Sequence, residues 1–384
     1  MYAHRGMRWA AAAAAGALLL AGCSSDSEAG ASGGDSNNVS EAVKQAVEES
    51  KAVSGFEAPG EAIDPSSLAG KKVLEIPSVP NPFLQSITDT MQGIADEVGL
   101  DYKVFESQGQ VSQWVQGINQ GIQDNVDLIV LNGAPDPRSL QPQLQEAEDA
   151  GIPVLVAHFH DDSTAQPPAC EGCEFGVKGL VTAPFYTAGE AAANWIIADS
   201  GAAANTLIVG GSDILPSPGT IEAMTAVFDE ECSDCEYKTI NIPVADWNTK
   251  TQSEVQSALQ SDPSINYVYL LYDAMVAGAV PAVETLGKGG SVKITSYNGS
   301  PFALDYIRDG DVVAMNVGED TVGIGYAAMD QAFRLLLGKK PVETRTPIRV
   351  WDDSNVEEAG DPAEAGVGYG DAFADGYREL WGLK

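Results

Sequence analysis

Three groups of residues in this 384-residue sequence have types and spacings that could do chemistry. His158-Phe159-His160-Asp161-Asp162 would set two imidazoles on one face of an extended segment with two carboxylates behind them, a ligand set that suits zinc. This cluster supports a reading as a metal-dependent hydrolase. The remaining histidine, His4, lies near the start, so a dinuclear site cannot be completed once a leader is removed, and no metal is expected. Cys170-Glu171-Gly172-Cys173 and Cys232-Ser233-Asp234-Cys235 offer four thiols. In a reducing compartment these would be a zinc site, and in an oxidising one they would be disulfides. Beyond these, the chain has no Gly-x-Ser-x-Gly elbow, no phosphate-cradling glycine loop and no nucleophile beside a base. Asp246 and Asp273 are isolated carboxylates, and Asp273 reads as a helix-start residue rather than an acid catalyst. The chemistry-bearing residues therefore point away from an enzyme and away from any cofactor.

The fifth cysteine settles the compartment. Arg5 and Arg8 are followed by an unbroken run of Ala, Gly, Leu and Trp from Trp9 to Leu20. That run is shorter than the roughly 20 apolar residues needed to cross a bilayer, and it has the form of a secretion signal. Leu20-Ala21-Gly22-Cys23 resembles a bacterial lipobox, in which the cysteine is lipidated and becomes the new N-terminus. The expected product is exported and held by lipid at the extracytoplasmic face of the cell membrane, where thiols oxidise. Both CxxC pairs are then expected to form disulfides.

Without residues 1–22 the chain keeps 19 basic residues against 55 acidic ones, a net charge of −36. Such a field repels nucleic acid and anionic membrane and argues against a strongly anionic ligand. About 300 residues have globular composition, enough for two domains with their own cores.

These residues must be positioned by a regular scaffold. Ser24 to Asn38 is a flexible tether by composition, Ser40 caps a short helix running to about Lys51, and a second linker carrying Pro59 and Pro65 runs to Gly70. From Lys72 onward, short apolar runs alternate with amphipathic stretches of 10 to 18 residues, the sign of βαβ units and parallel sheets. Eleven strands are predicted, at 73–76, 102–105, 127–131, 153–157, 176–181, 206–209, 237–242, 266–271, 292–296, 312–317 and 345–350. So many strands fit two lobes better than one sheet. Phe373 to Leu383 can pack as a last short helix.

Over nearly all of Lys72 to Val350 the chain resembles the ribose-like (type I) periplasmic solute-binding proteins of ABC importers. The motifs that carry the resemblance come in family order. They are Asn81-Pro82-Phe83, Val126-Asp127-Leu128-Ile129, Gly151-Ile152-Pro153-Val154 and Ala245-Asp246-Trp247, then Tyr272-Asp273-Ala274-Met275 with Gly278, Tyr297-Asn298-Gly299, Arg308-Asp309-Gly310 and Leu337-Gly338-Lys339. The resemblance implies two Rossmann-like α/β lobes with parallel sheets joined by three crossovers near Thr182-Ala183, Gly318-Glu319 and Thr346-Pro347. With the leader at 1–22 and the lipidated tether with its short helix at 23–70 set apart, it implies lobe one at 71–182 completed by 319–346, and lobe two at 183–318 completed by 347–384. It also puts the two CxxC pairs on different lobes, so that local bonds Cys170 to Cys173 and Cys232 to Cys235 leave the lobes free to close.

The resemblance implies ligand contacts at Asn81, Phe83, His158, Thr220, Trp247, Tyr272, Asn298 and Glu319. Phe83 and Trp247 would be flat apolar walls, and Asn81 and Asn298 would orient polar groups. Three positions depart from the sugar-binding pattern. Ala157-His158 stands for an Asp-Arg pair, Thr220 for an arginine, and Gly318-Glu319 where a glutamine is expected, so the site has lost its cationic grip. The implied protein is a monomeric receptor that captures a small neutral solute, a sugar or sugar-like molecule, for an ABC permease and ATPase. A sensory subunit serving a membrane kinase is the alternative output.

Overall fold

The structure is a computed structural model that describes residues 38–133, 137–158, 162, 176–212, 214, 216–310, 312–344 and 346–383. The leader, Cys23, His160, Cys170 and Cys173 lie outside the described residues.

Among the described residues eleven strands form two sheets, in order β2-β1-β3-β4-β5 and β11-β10-β9-β8-β6-β7. The first is all parallel: β1 (Lys72–Pro77), β2 (Asp101–Val104), β3 (Leu128–Asn132), β4 (Val154–Ala157) and β5 (Val177–Val181). Helices α2 (Pro82–Val98), α3 (Val111–Gln123) and α4 (Gln141–Asp149) cross between these strands. The central strands β3 and β4 are buried along their whole length, as a sheet covered on both faces requires. Asn81 starts α2 by accepting from the Leu84 N–H at 2.8 Å, Pro82 takes the first helical position, and Gly99 ends the helix at φ 81°.

The second lobe follows the same plan with β6 (Asn205–Gly210), β7 (Glu236–Asn241), β8 (Tyr267–Leu270), β9 (Lys293–Asn298) and β10 (Val313–Glu319), with β11 (Ile348–Asp352) added antiparallel to β10. Its helices are α5 (Phe185–Ser200), α6 (Ser217–Glu231), α7 (Trp247–Ser261), α8 (Val276–Thr285) and α9 (Pro301–Arg308). Each predicted strand is present within three residues at either end. The chain leaves lobe one after β5, returns after β10 to form α10 (Thr321–Leu336) under the first sheet, and crosses again into β11. These crossovers are laced together: Thr346 Oγ1 donates to the Thr182 carbonyl at 3.3 Å, and Asp320 N–H to the Pro347 carbonyl at 3.4 Å.

The terminal segments differ from the sequence expectation. The helix capped by Ser40, α1 (Glu41–Lys51), is not part of a free tether. Val43 and Val47 are buried in the core of lobe two, Ser40 donates to Glu231 at 2.8 Å, and Lys51 pairs with Asp352 at 2.6 Å. The stretch expected to be a linker then packs on lobe one. The Phe56 ring lies 4.9 Å from Tyr377 and 5.6 Å from Phe373, Ile63 N–H bonds the Leu380 carbonyl at 3.1 Å, and Ile63 and Leu68 are buried.

The last helix, α11 (Ala372–Leu380), also belongs to lobe one, where Tyr377, Leu380 and Trp381 are buried with Phe333 of α10. The assignment of all of 347–384 to lobe two is corrected accordingly. The segment through Tyr369 stays with lobe two, and the apolar stripe of α11 carries the chain's end back across. A buried ion pair within α10, Arg334 Nε to Asp330 Oδ2 at 2.7 Å, ties both segments down. Arg334 also donates to the Glu61 carbonyl at 3.0 Å, and Trp381 donates to Asp330 at 2.9 Å.

A candidate solute-binding cleft

In open α/β sheets a ligand sits beyond the carboxyl ends of the strands. Here those ends, together with the first crossover, gather a continuous set of rings. Phe83 in the first turn of α2 packs on His158, which follows β4, with centroids 4.9 Å apart. His158 packs on Phe185 at 5.4 Å, and Phe185 on Tyr297 at 5.2 Å and Tyr272 at 6.1 Å. Tyr272 stacks on Trp247 at 5.1 Å with 28° between planes. Trp247 is held by its indole N–H, which donates to the Ile242 carbonyl at 2.9 Å. The set begins in lobe one and ends at the outer part of lobe two.

One carboxylate sits among the rings. The Glu319 side chain, at the end of β10, has no exposed surface, and His158 Nε2 lies 3.0 and 2.9 Å from its two oxygens. Asn298 Nδ2 adds a longer bond of 3.4 Å. Both partners hold unusual backbones: His158 has φ 55° and Asn298 φ 127°, two of four non-glycine residues at positive φ among the described residues. Such conformations cost on the order of 1–3 kcal/mol and persist where the surroundings over-determine them. The Tyr297 phenol is pushed well above its ordinary range, first by burial and then by the neighbouring Glu319.

Behind the rings lies a satisfied polar layer. Asp273 accepts from Ser296 at 2.7 Å, Asn316 at 2.6 Å and the Ser300 N–H at 2.7 Å. Asn316 in turn accepts from the Gly299 N–H at 2.8 Å. Gly299 has φ 73°, and a Cβ there would stand 2.7 Å from Gly318 Cα, so the turn after β9 admits only glycine at this approach. Burial pushes the Asp273 carboxyl up to about 6 against these hydrogen bonds, and burial does the same for Asp320 at the second crossover.

Of the eight residues expected to contact ligand, Phe83, His158, Trp247, Tyr272, Asn298 and Glu319 are brought into this set. Asn81 stands at the same end of lobe one, exposed, with its carbonyl oxygen used as the α2 cap. Thr220 is not brought in. It is fully buried, its hydroxyl reaches the Pro216 carbonyl at 3.5 Å, and its own carbonyl faces Gly189 in the α5–α6 contact. Phe185 escaped sequence reasoning, and Tyr297 was read there only as part of a motif, with no place in the site. The available signals were an aromatic residue directly after a crossover and one at the end of a buried strand.

Cys232 and Cys235 are joined in lobe two, between α6 and β7. Among the described residues no three His, Cys, Asp or Glu side chains gather as a metal site, while His160 and Asp161 lie outside that set. No described helix is long and apolar enough to cross a membrane.

The family profile described as "Periplasmic binding protein domain" matches residues 73–340. The ribose import binding protein of Bacillus subtilis is 25% identical over 285 residues, which cover 73% of this chain and 87% of that protein. The fructose import binding protein of Bifidobacterium longum is 26% identical over 313 residues, covering 77% and 88%. Among solved structures, an ABC transporter solute binding protein from Bacillus halodurans with bound myo-inositol superposes with a TM-score of 0.64 at 20% identity, covering 77% of this chain and 99% of that one. The match spans more than two thirds of the sequence and takes in both sheets up to the return through α10, so the chain belongs to the periplasmic binding protein family and is a solute receptor rather than an enzyme.

Proposed function

We propose that the protein is a lipid-anchored, extracytoplasmic receptor that closes on a small neutral sugar or sugar-like solute and delivers it to an ABC permease and its ATPase. The observation that carries this reading is the ring set between the lobes, with one buried carboxylate in it. Flat aromatic faces suit the C–H surfaces of a sugar ring, and His158 and Asn298, both held by the buried Glu319, supply hydrogen-bonding groups for its hydroxyls. The ribose and fructose import proteins to which the sequence is similar support the same solute class. Closure follows as a population shift, because solute touches both lobes only in the closed arrangement. Asn81, Phe83 and Trp247 are the proposed outer contacts. Cys23 is the proposed anchor, the protein acts as a monomer, and Cys170–Cys173 is proposed as a second local disulfide.

A thermal-shift screen over pentoses, hexoses and polyols tests the reading, since a ligand at about 100 times its Kd adds roughly 2.7 kcal/mol to stability. A shift with at least one sugar is expected, and none across the screen would remove the proposal. Metabolic labelling with fatty acid tests the anchor, and label retained by Cys23→Ala would overturn it.

A further inference from the structure

We infer that Phe185 is a positioning residue of the cleft, which holds the His158 imidazole on Glu319 without itself touching solute. The inference rests on the reading of this cleft as the solute site. Phe185 is only 2% exposed, so it is not available as a ligand wall. It is the first residue of α5, two residues past the crossover at Thr182-Ala183, and its ring touches rings of both lobes: His158 on one side, Tyr272 and Tyr297 on the other.

His158 needs such a support. Its backbone sits at φ 55°, where a residue with a Cβ is not held by local preference. Its imidazole lies between two rings, Phe83 at 4.9 Å and Phe185 at 5.4 Å, each tilted by 58°. Phe83 lies at the start of α2 and is only half-buried, so it keeps a free face for solute. Phe185 is the fixed side of the sandwich.

What the support maintains is the pairing of Nε2 with both carboxylate oxygens. The pairing places a proton on Nε2, between the ring and the carboxylate oxygens, and leaves Nδ1 as the other polar atom of the ring. Without Phe185 the imidazole can turn in the space left behind, and a carboxylate with no exposed surface loses its nearest donor. Because Phe185 also packs against both tyrosines, movement of lobe two relative to lobe one is passed to the imidazole through the same ring.

The sequence has three histidines, His4, His158 and His160, so 15N-histidine labelling gives few signals, and His158→Ala assigns the one that matters. No solute is needed, so failure here is separable from failure of the transport reading. In the wild type a slowly exchanging Nε2–H signal of a single tautomer is expected. Phe185→Ala should lose that signal or mix the tautomers, Phe185→Leu should largely keep it, and Phe228→Leu, in the distant core of lobe two, should leave it unchanged. If Phe185→Ala does not fold, Phe185→Val takes its place. A His158 signal in the truncated variant identical to wild type would overturn the inference, as would equal disturbance by Phe228→Leu, which would mark a general loosening of the core.

Discussion

Glu319 takes its donors from two residues held at positive φ, so the backbone cost at His158 and Asn298 is offset by hydrogen bonds to one carboxylate with no exposed surface. Replacing it by Gln keeps the shape and removes the charge. Hydrogen bonds to charged groups contribute roughly 1.5–3 kcal/mol, so Glu319→Gln should weaken sugar binding about 10- to 100-fold with the fold intact, as titration calorimetry would show. Trp247→Ala should lose a comparable amount, roughly 1.5–3 kcal/mol, through ring burial. Thr220→Val, although Thr220 matches the family's ligand position, should bind within about threefold of wild type, because its hydroxyl serves the α6 backbone. Tenfold loss in that variant would return Thr220 to the site. Polar residues at strand ends were legible because motif spacing announces them. The role of Phe185 was not, since an aromatic residue in an apolar stretch looks the same whether it packs a core or orients an imidazole.

At the scale of elements, the strands were readable because buried parallel strands are short apolar runs bounded by turns, and the helix boundaries because Asn81-Pro82 and Gly99 are start and stop chemistry. The docking of the terminal segments was not readable. The helical stripe Val39, Val43, Val47 says that a face will be covered but not by which lobe, and residues 53–68 have a linker's composition while packing as a strap. Two segments therefore join the lobes in addition to the three crossovers, and both end on the Asp330–Arg334 pair. Arg334→Ala should strand a buried carboxylate and free the Glu61 carbonyl together. Removing one partner of a buried pair costs about 3–5 kcal/mol, so urea unfolding should show a loss of that size, with new protease cleavage between residues 53 and 62. A loss under about 1 kcal/mol with an unchanged cleavage pattern would mean that the strap is held by Phe56 and Ile63 alone.

For the whole molecule, the carboxyls divide into two classes whose opposite shifts predict a stability optimum in mild acid. Burial raises Asp273 and Asp320 to about 6, and raises Glu75 and Glu190 as well. Hydrogen bonds to Ser66 and Ser264 lower Asp64 and Asp262, and a bond to Arg378 lowers Glu97; at Asp127 and Asp352 burial is the largest single influence and acts upward, but the combined bonds to Lys71 and Lys72, and to Lys51, Ser354 and Trp195, bring both below the ordinary value. A group raised on folding contributes stability that is fully present below its unfolded value near 4 and is lost as pH rises through its folded value. A lowered group contributes stability present above its unfolded value and lost as pH falls below it. Between about pH 4 and 6 the raised class therefore governs, and folding weakens as pH rises. Below about pH 4 the lowered class governs, and folding weakens as pH falls. The excess of acidic residues acts in the same direction as the raised class, because self-repulsion grows as carboxyls ionise. Two pKa units correspond to about 2.7 kcal/mol, the upper order of what Asp273 or Asp320 can each contribute to the decline. Thermal melts from pH 3 to 7.5 should peak near pH 4–5 and fall toward pH 7. Asp273→Asn should reduce the slope between pH 4.5 and 6.5 even if it lowers the melting temperature throughout, because an amide cannot accept from Ser296, Asn316 and the Ser300 N–H as a carboxylate does. A melting temperature that rises steadily from pH 4.5 to 6.5 in the wild type, or a slope unchanged in both Asp273→Asn and Asp320→Asn, would show that these buried carboxyls ionise as freely as exposed ones.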